Sequence, residues 1–186
     1  TTANPKDTKS IVDFGHLSID SRHTIHWDPN EIDPRTVTTA GGLHTVPPGE
    51  VGSVRLGNWD TGAQAECIEY NYIVDTTEAA VLVLNYAVVL QDVNPPHDSI
   101  AQPRFTLEIR HKNKLLPYGC GEAYFSSGFN TSTEDGWHRN ASCWWKDWTT
   151  VSINLGQYHG ESLNIRLTSL DCTESGHYGY AYFTLG

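Results

Sequence analysis

The sequence lacks long apolar runs, local clusters of basic residues and any methionine. No apolar run reaches the roughly 18 residues that a membrane-spanning helix needs, so we expect no membrane insertion. The formal net charge is -10. Phosphate backbones are bound by basic surfaces, so this balance argues against a nucleic-acid partner.

The motifs of several enzyme classes are also missing. The sequence has no Gly-x-Ser-x-Gly, no His-Glu-x-x-His and no Cys-x-x-Cys, which argues against a serine-hydrolase nucleophile elbow, a zinc peptidase and a structural zinc site. Carboxylates such as Glu108 and Glu122 are present, but nothing in the pattern places two of them across a cleft, as glycan hydrolysis requires. We therefore predict that the protein is not an enzyme and keep a small glycan-active hydrolase as an alternative.

The cysteine content is low, at four residues: Cys67, Cys120, Cys143 and Cys172. Four cysteines allow three disulfide connectivities, and their spacing does not choose among them. Cys120 and Cys143 bracket an aromatic-rich segment, and we predict a disulfide between them if the protein is exported. Cys67 and Cys172 lie in strand-like segments and could pair or remain buried thiols.

What the sequence does contain is a series of short alternating segments. Its 186 residues suffice for one sizeable domain, and we predict a polar arm over 1–10 and a single domain over 11–186. The apolar run 79–90 is rich in β-branched residues, which favours a central strand over a helix. Turn residues dominate 15–52 and predict irregular loops. The predicted fold is all-β, a jelly-roll β-sandwich of two antiparallel sheets.

Four of the six tryptophans fall within one short segment, at Trp137, Trp144, Trp145 and Trp148. Gly, Ser, Thr and Asn precede the segment and clean alternation starts only at Thr149, so we predict that it is mostly loop. Trp148 opens a strand and is expected in the core. Trp137, Trp144 and Trp145 are the candidates for an aromatic platform on which a sugar ring stacks.

A long polar segment, 91–104, follows the central strand. Asp92, His97 and Arg104 are its candidate hydrogen-bond partners for ligand hydroxyls, although most such loops are plain connections.

Several segments resemble MAM-like and galactose-binding-like jelly-roll modules of large secreted surface proteins of Gram-negative bacteria. The resemblance covers about residues 50 to 183 and rests on 54–58, 62–66, 86–92, 102–105, 148–167, Asp171-Cys172 and 176–180. It implies a module with neighbouring domains, located outside the cell or on its surface. Adhesion and merely structural roles occur in the same superfamily.

The same superfamily commonly holds a structural calcium ion through an aspartate at the end of the closing strand. This chain ends 181–186 with no side-chain carboxylate, which departs from that pattern. Calcium prefers clustered oxygen ligands, and Asp13, Asp20 and Asp171 are the metal candidates that we retain for one possible structural calcium ion.

These observations predict a non-catalytic extracellular carbohydrate-binding module of a larger bacterial surface or secreted protein, with a glycan or cell-surface ligand as its partner. The alternative is an adhesion or structural module that contacts protein, in which the tryptophans would be interface anchors.

Overall fold

The computed structural model describes residues 12–14, 22–94, 97–116, 122–127 and 131–185. In this part of the chain the regular elements are strands and three 3-10 turns, and none of these turns could cross a bilayer. The strands are β1 Val12–Phe14, β2 His23–His26, β3 Ser53–Leu56, β4 Ala65–Ile73, β5 Val81–Gln91, β6 Arg104–His111, β7 Lys114–Leu115, β8 Glu122–Ser126, β9 Trp137–Arg139, β10 Cys143–Asn154, β11 Ser162–Leu170 and β12 Gly179–Leu185.

The strands form two sheets. The seven-stranded sheet has the order β1-β2-β3-β12-β5-β10-β9, and the five-stranded sheet has the order β4-β11-β6-β7, with β8 also paired to β6. All pairs are antiparallel except β1 with β2, which are parallel at the edge of the larger sheet. The predicted all-β sandwich is confirmed, and the run 79–90 is indeed mainly a central strand.

The inner core lies between the two sheets and is built by period-two alternation. Tyr86, Val88 and Leu90 of β5 face inward, opposite Phe105 and Leu107 of β6. Side chains of this size stabilise the fold by roughly 1.5–3 kcal/mol each when they are fully buried. The apolar positions of the alternating pattern therefore mark the side of each strand that faces the opposite sheet.

The outward face of the seven-stranded sheet is also covered. The irregular segment 27–52 lies over it, and Leu43 packs there with residues from three strands. We call this second cluster the outer-face cluster; its buried members are Leu43, Ala87, Val89, Cys143, Trp145, Tyr178, Tyr180 and Tyr182. A sheet covered on both faces explains why β5 is apolar at almost every position.

Asp33 anchors that covering segment. Its side chain is fully buried and accepts hydrogen bonds from the hydroxyls of Tyr180, at 2.8 Å, and Tyr182, at 2.6 Å, and from the backbone N–H of Arg35, at 2.8 Å. Burial raises the pKa of Asp33, while the hydrogen bonds from Tyr182, Tyr180 and Arg35 oppose that rise. The carboxylate joins the covering segment to the closing strand β12 through side-chain hydrogen bonds.

The prediction that the tryptophan segment is mostly loop was wrong. Trp137 opens β9, and β10 already begins at Cys143. The alternation was hidden by a β-bulge, because Lys146 pairs with Val88 whereas Thr149 pairs with Tyr86. One strand advances three residues while its partner advances two, and such an extra residue breaks the period-two pattern.

The predicted disulfide between Cys120 and Cys143 is not formed in this structure. Cys143 is a buried free thiol whose Sγ lies 3.2 Å from the backbone oxygen of Arg35, and Cys120 lies outside the described residues. Cys67 is exposed and Cys172 is buried, and both are free.

We predict that the two hydroxyls on Asp33 stabilise the fold and that a neighbouring one does not. Tyr180→Phe and Tyr182→Phe should each lower the free energy of unfolding by about 1–3 kcal/mol, because each leaves a buried carboxyl oxygen of Asp33 without one of its donors. Tyr178→Phe is the matched control, because Tyr178 belongs to the same outer-face cluster, whereas the hydroxyls that donate to Asp33 are those of Tyr180 and Tyr182. Urea denaturation would measure all three, and equal losses would contradict the assignment.

A candidate ligand groove on the five-stranded sheet

The outward face of the five-stranded sheet carries a groove across β4, β11 and β6, toward the end of the sheet where β4 and β6 begin and β11 ends. Its volume is about 360 Å³, and its walls combine polar and apolar side chains. We call it the outer groove; it is lined by Ala65, Cys67, Arg104, Thr106, Glu108, Arg166, Thr168 and Leu170. These are the positions that alternate with the inner core along the same strands.

Strand register sets the order of side chains across this face. Thr106 of β6 pairs with Thr168 of β11 on one side and with Tyr124 of β8 on the other. Cys67 of β4 pairs with Thr168 and completes the row. The Tyr124 side chain is 51% exposed. Directly paired residues place their Cβ atoms about 5 Å apart on one face, so an aromatic ring borders the hydroxyls of the groove.

A second row carries the charges. Arg166 of β11 pairs with Glu69 of β4 and with Glu108 of β6. The Nη2 of Arg110 donates to Glu108 at 2.9 Å, and the Nδ2 of Asn164 donates to Glu69 at 2.7 Å. The Nε of Arg166 lies 3.3 Å from the Sγ of Cys67. Mutual hydrogen bonds hold these groups in fixed positions on a rigid sheet.

Arg104 is the one predicted ligand residue that lines this groove. It is buried at the start of β6, and one of its guanidinium nitrogens donates to the backbone oxygen of Ile100. Arg104 therefore forms part of the wall of the groove near the 3-10 turn Ser99–Ala101.

Asp92 and Trp144 lie together, but away from the outer groove and already bonded to each other. The Nε1 of Trp144 donates to Asp92 at 3.1 Å. Arg139 donates to the other oxygen of the same carboxylate, and its guanidinium lies 4.9 Å from the centre of the Trp144 ring. The polar edge of Trp144 is thus paired and its ring is half-buried, which leaves little of the cluster for a ligand.

Trp137 and Trp145 do not form a platform. Trp137 is 2% exposed and contacts Phe125 of the opposite sheet with a ring separation of 5.4 Å. Trp145 is 4% exposed within the outer-face cluster, and His138 stacks on it at 5.4 Å. Trp148, which was predicted to be core, is half-buried against the same cluster, and its Nε1 donates to the backbone oxygen of His44.

His97 lies in the middle of the loop 91–104 and is not among the residues that line the outer groove. Its ring nitrogens face Glu174 and His177, at 3.1 and 3.2 Å. The loop 91–104 therefore brings its three candidate residues to three different places.

The calcium candidates are not seen to converge. The side chains of Asp13 and Asp20 lie outside the described residues. Asp171 is buried, and its two oxygens accept backbone N–H groups of Gln64 and Gly179, at 3.0 and 3.1 Å. Burial raises the pKa of Asp171 to about 8. The carboxyl group links two backbone segments, and calcium at this position stays a prediction.

A second concave surface surrounds Trp27. Its volume is about 330 Å³, and its walls are almost wholly apolar. The Trp27 side chain is 56% exposed and its ring packs on Gly52, where an added Cβ would lie 2.8 Å from a ring carbon. We call this surface the apolar groove; it is lined by Ile25, Trp27, Val51, Gly52, Ser53, Val54, Phe183, Thr184 and Leu185.

The outer groove was missed at the sequence level although its signal was present. The polar positions of β6 and β11, such as Thr106 and Arg166, alternate with apolar ones, which indicates only that they face away from the core. Nothing in the local pattern shows that this outward face is open whereas that of the other sheet is covered.

Comparison with solved structures shows a distant structural similarity. The carbohydrate-binding module TmCBM61, solved in complex with β-1,4-galactotriose, matches with a TM-score of 0.37 and 12% identity over 76% of this chain and 74% of that one. No protein-family model and no curated protein sequence matches the chain. The MAM-like resemblance therefore stays a prediction.

We predict that the buried tryptophans stabilise the fold and that the exposed Trp27 does not. Trp137→Ala and Trp145→Ala should each lower the free energy of unfolding by roughly 3–5 kcal/mol, since both truncate a large buried ring. Trp27→Ala is the matched control on the surface and should change it by less than about 0.5 kcal/mol. Chemical denaturation followed by circular dichroism would measure the three values. Near-neutral values for the first two would show that the rings are not packed as described.

Proposed function

We propose that this chain is a non-catalytic carbohydrate-binding module that holds an oligosaccharide in the outer groove. The observation that carries the proposal is the combination on one open sheet face of fixed hydrogen-bonding side chains with an exposed aromatic ring, that of Tyr124. Most ligand sites are concave and position a few polar groups in this way.

The side chains of the groove match the hydrogen-bonding needs of sugar hydroxyls. Each hydroxyl can both donate and accept a hydrogen bond. Arg166 only donates, the ionised Glu108 only accepts, and Thr106 and Thr168 do both. The Tyr124 ring can cover the apolar C–H face of a pyranose at the border of the groove, since aromatic side chains combine a large apolar surface with a polar handle.

The charges of the groove favour a neutral sugar. Arg104 and Arg166 contribute positive charge, and Glu69 and Glu108, which pair with Arg166 from the two neighbouring strands, contribute negative charge. Opposite charges in neighbouring positions largely cancel, so the groove attracts neither an acidic nor a basic sugar strongly. A neutral oligosaccharide is the ligand class that we propose.

The same geometry supports a binding role rather than hydrolysis. A general acid for glycoside cleavage is a carboxyl group held protonated, whereas Glu108 is ion-paired with Arg110 at 2.9 Å. The proposal includes the extracellular or surface location and the neighbouring domains implied by the sequence resemblance.

The apolar groove supports the alternative function, adhesion to another protein. Val51 beside Trp27 is 84% exposed, and Leu185 on the same surface is 39% exposed. Contiguous exposed apolar surface of this kind marks interaction sites. Its lack of polar groups fits an apolar protein surface better than a sugar.

We predict that glycan binding depends on Arg166 and Tyr124. A screen on a glycan array, followed by calorimetry with the best neutral oligosaccharide, should show binding by the wild type. Arg166→Met should weaken that binding by about 1.5–3 kcal/mol, the usual loss for hydrogen bonds to a charged group. Tyr124→Ala should weaken it by ~1–3 kcal/mol, a range taken from aromatic stacking on nucleobases.

Two variants control for the site. Tyr70→Ala removes a tyrosine of similar exposure, 53%, that lies outside the outer groove, and it should bind as the wild type does. Trp27→Ala tests the apolar groove in the same assay. Loss of binding in Trp27→Ala alone would show that the glycan binds in the apolar groove and not in the outer groove. If the wild type binds no glycan on the array, the adhesion function is favoured. If it releases new reducing ends from an oligosaccharide, it is an enzyme.

A further inference from the structure

A cluster of metal-ligating side chains lies at one end of the sandwich, formed by segments far apart in sequence. Among the described residues, His97, Cys172 and His177 are the one group of three or more such side chains whose ligand atoms all lie within 4.8 Å of one another. His97 comes from the loop before β6, and the other two lie in the connection between β11 and β12.

Two of the three distances between ligand atoms in the cluster match a tetrahedral centre. Zinc binds a histidine nitrogen at about 2.0–2.1 Å and a thiolate sulfur at about 2.3 Å, so ligand atoms at the tetrahedral angle are roughly 3.3 Å apart for two nitrogens and roughly 3.5 Å apart for nitrogen and sulfur. The Nε2 of His97 lies 3.2 Å from the Nδ1 of His177, and the Sγ of Cys172 lies 3.4 Å from that same Nδ1.

The Cys172 sulfur is held in place by backbone donors. It is fully buried, and its Sγ accepts the backbone N–H groups of Gly176 and His177, both at 3.2 Å. These contacts fix the sulfur beside the His177 ring, and cysteine sulfur is a soft ligand of the kind that zinc binds. The buried sulfur of Cys143, in contrast, faces the backbone oxygen of Arg35 rather than a histidine ring.

Glu174 orients one of the histidines. Its Oε2 lies 3.1 Å from the Nδ1 of His97. A proton on Nδ1 and shared with this carboxylate leaves the Nε2 lone pair directed at Cys172 and His177. Ligand histidines in metal sites usually have such a carboxylate partner on the second ring nitrogen, which fixes the tautomer and the ring orientation.

Backbone and side-chain hydrogen bonds hold both halves of the cluster. The backbone N–H of Cys172 donates to His177 at 2.9 Å, and that of Ser175 donates to Cys172 at 3.1 Å. Ser175 adopts a positive φ of 66° to close this turn. The buried Gln102 donates from its side chain to the backbone oxygen of His97 at 3.0 Å, so both halves of the cluster are held by hydrogen bonds.

We propose that this cluster binds one transition-metal ion of the zinc type. The ligand atoms are the Sγ of Cys172, the Nδ1 of His177 and the Nε2 of His97, and Glu174 is a positioning residue. The fourth ligand is water or a group from outside, since both histidines are partly exposed. The mixed sulfur and nitrogen set selects zinc over calcium and magnesium. The ion fastens the loop before β6 to the turn that precedes β12, a connection that no disulfide makes among the described cysteines.

Cobalt(II) titration of the purified, chelator-treated wild-type protein tests the proposal. Binding of one equivalent should produce a sulfur-to-cobalt charge-transfer band and the intense visible bands of a tetrahedral centre, and zinc(II) should displace the cobalt and remove them. Cys172→Ser should lose the charge-transfer band, and Glu174→Gln should keep it while the apparent affinity falls by about 10–100-fold.

Cys67→Ser is the matched control, because Cys67 is a free exposed thiol outside the cluster. This variant should give the wild-type spectrum. Circular dichroism of each variant separates loss of metal from loss of fold, and Glu174→Gln at an exposed position keeps the test informative if Cys172→Ser does not fold. The absence of a stoichiometric cobalt spectrum in the wild type, or a band that depends on Cys67 instead, would overturn the proposal. Neither result depends on whether the outer groove binds a glycan.

Discussion

The arrangement of the outer surfaces depends on the buried carboxylate of Asp33. A buried carboxyl group is tolerated only when donors surround its oxygens, and here the hydroxyls of Tyr180 and Tyr182 and a backbone amide supply them. Because the tyrosines belong to the closing strand and Asp33 belongs to the irregular segment 27–52, this cluster fixes the segment on the sheet. Arg55 extends it, since its guanidinium is fully buried and lies 4.8 Å from the centre of the Trp59 ring.

That cover makes the two sheets unequal. In the described part of the chain, the seven-stranded sheet is packed on both faces, whereas the five-stranded sheet has one face in solvent with its polar side chains in register. The described hydrogen-bonding groups of that face are therefore accessible from solvent. The metal cluster is placed differently, at the end of the strands, where loops from β5 to β6 and from β11 to β12 meet. Surface recognition and loop fastening thus use separate parts of the fold.

The sequence was sufficient to predict what depends on period-two alternation. Strands β3, β5 and β6 follow from their apolar positions, and so does the two-sheet architecture. The faces to which Trp145 and Trp148 point could not be predicted. The bulge between Lys146 and Thr149 shifts the period, and no characteristic residue type marks its position in the sequence. The same limit applies to the metal cluster, since His97 and Cys172 meet only through the sandwich topology, and no short motif contains them both.

The bulge in β10 has a consequence for how this segment can vary. Residues three apart on a regular strand point to opposite faces, yet Trp145 and Trp148 both pack on the outer-face cluster because of the one extra residue between them. Deletion of a single residue there would restore the regular period and turn one ring toward the other side of the sheet. Asp147, in contrast, is exposed, so its replacement leaves that geometry intact. In this stretch the number of residues is therefore more tightly constrained than the identity of the exposed side chain.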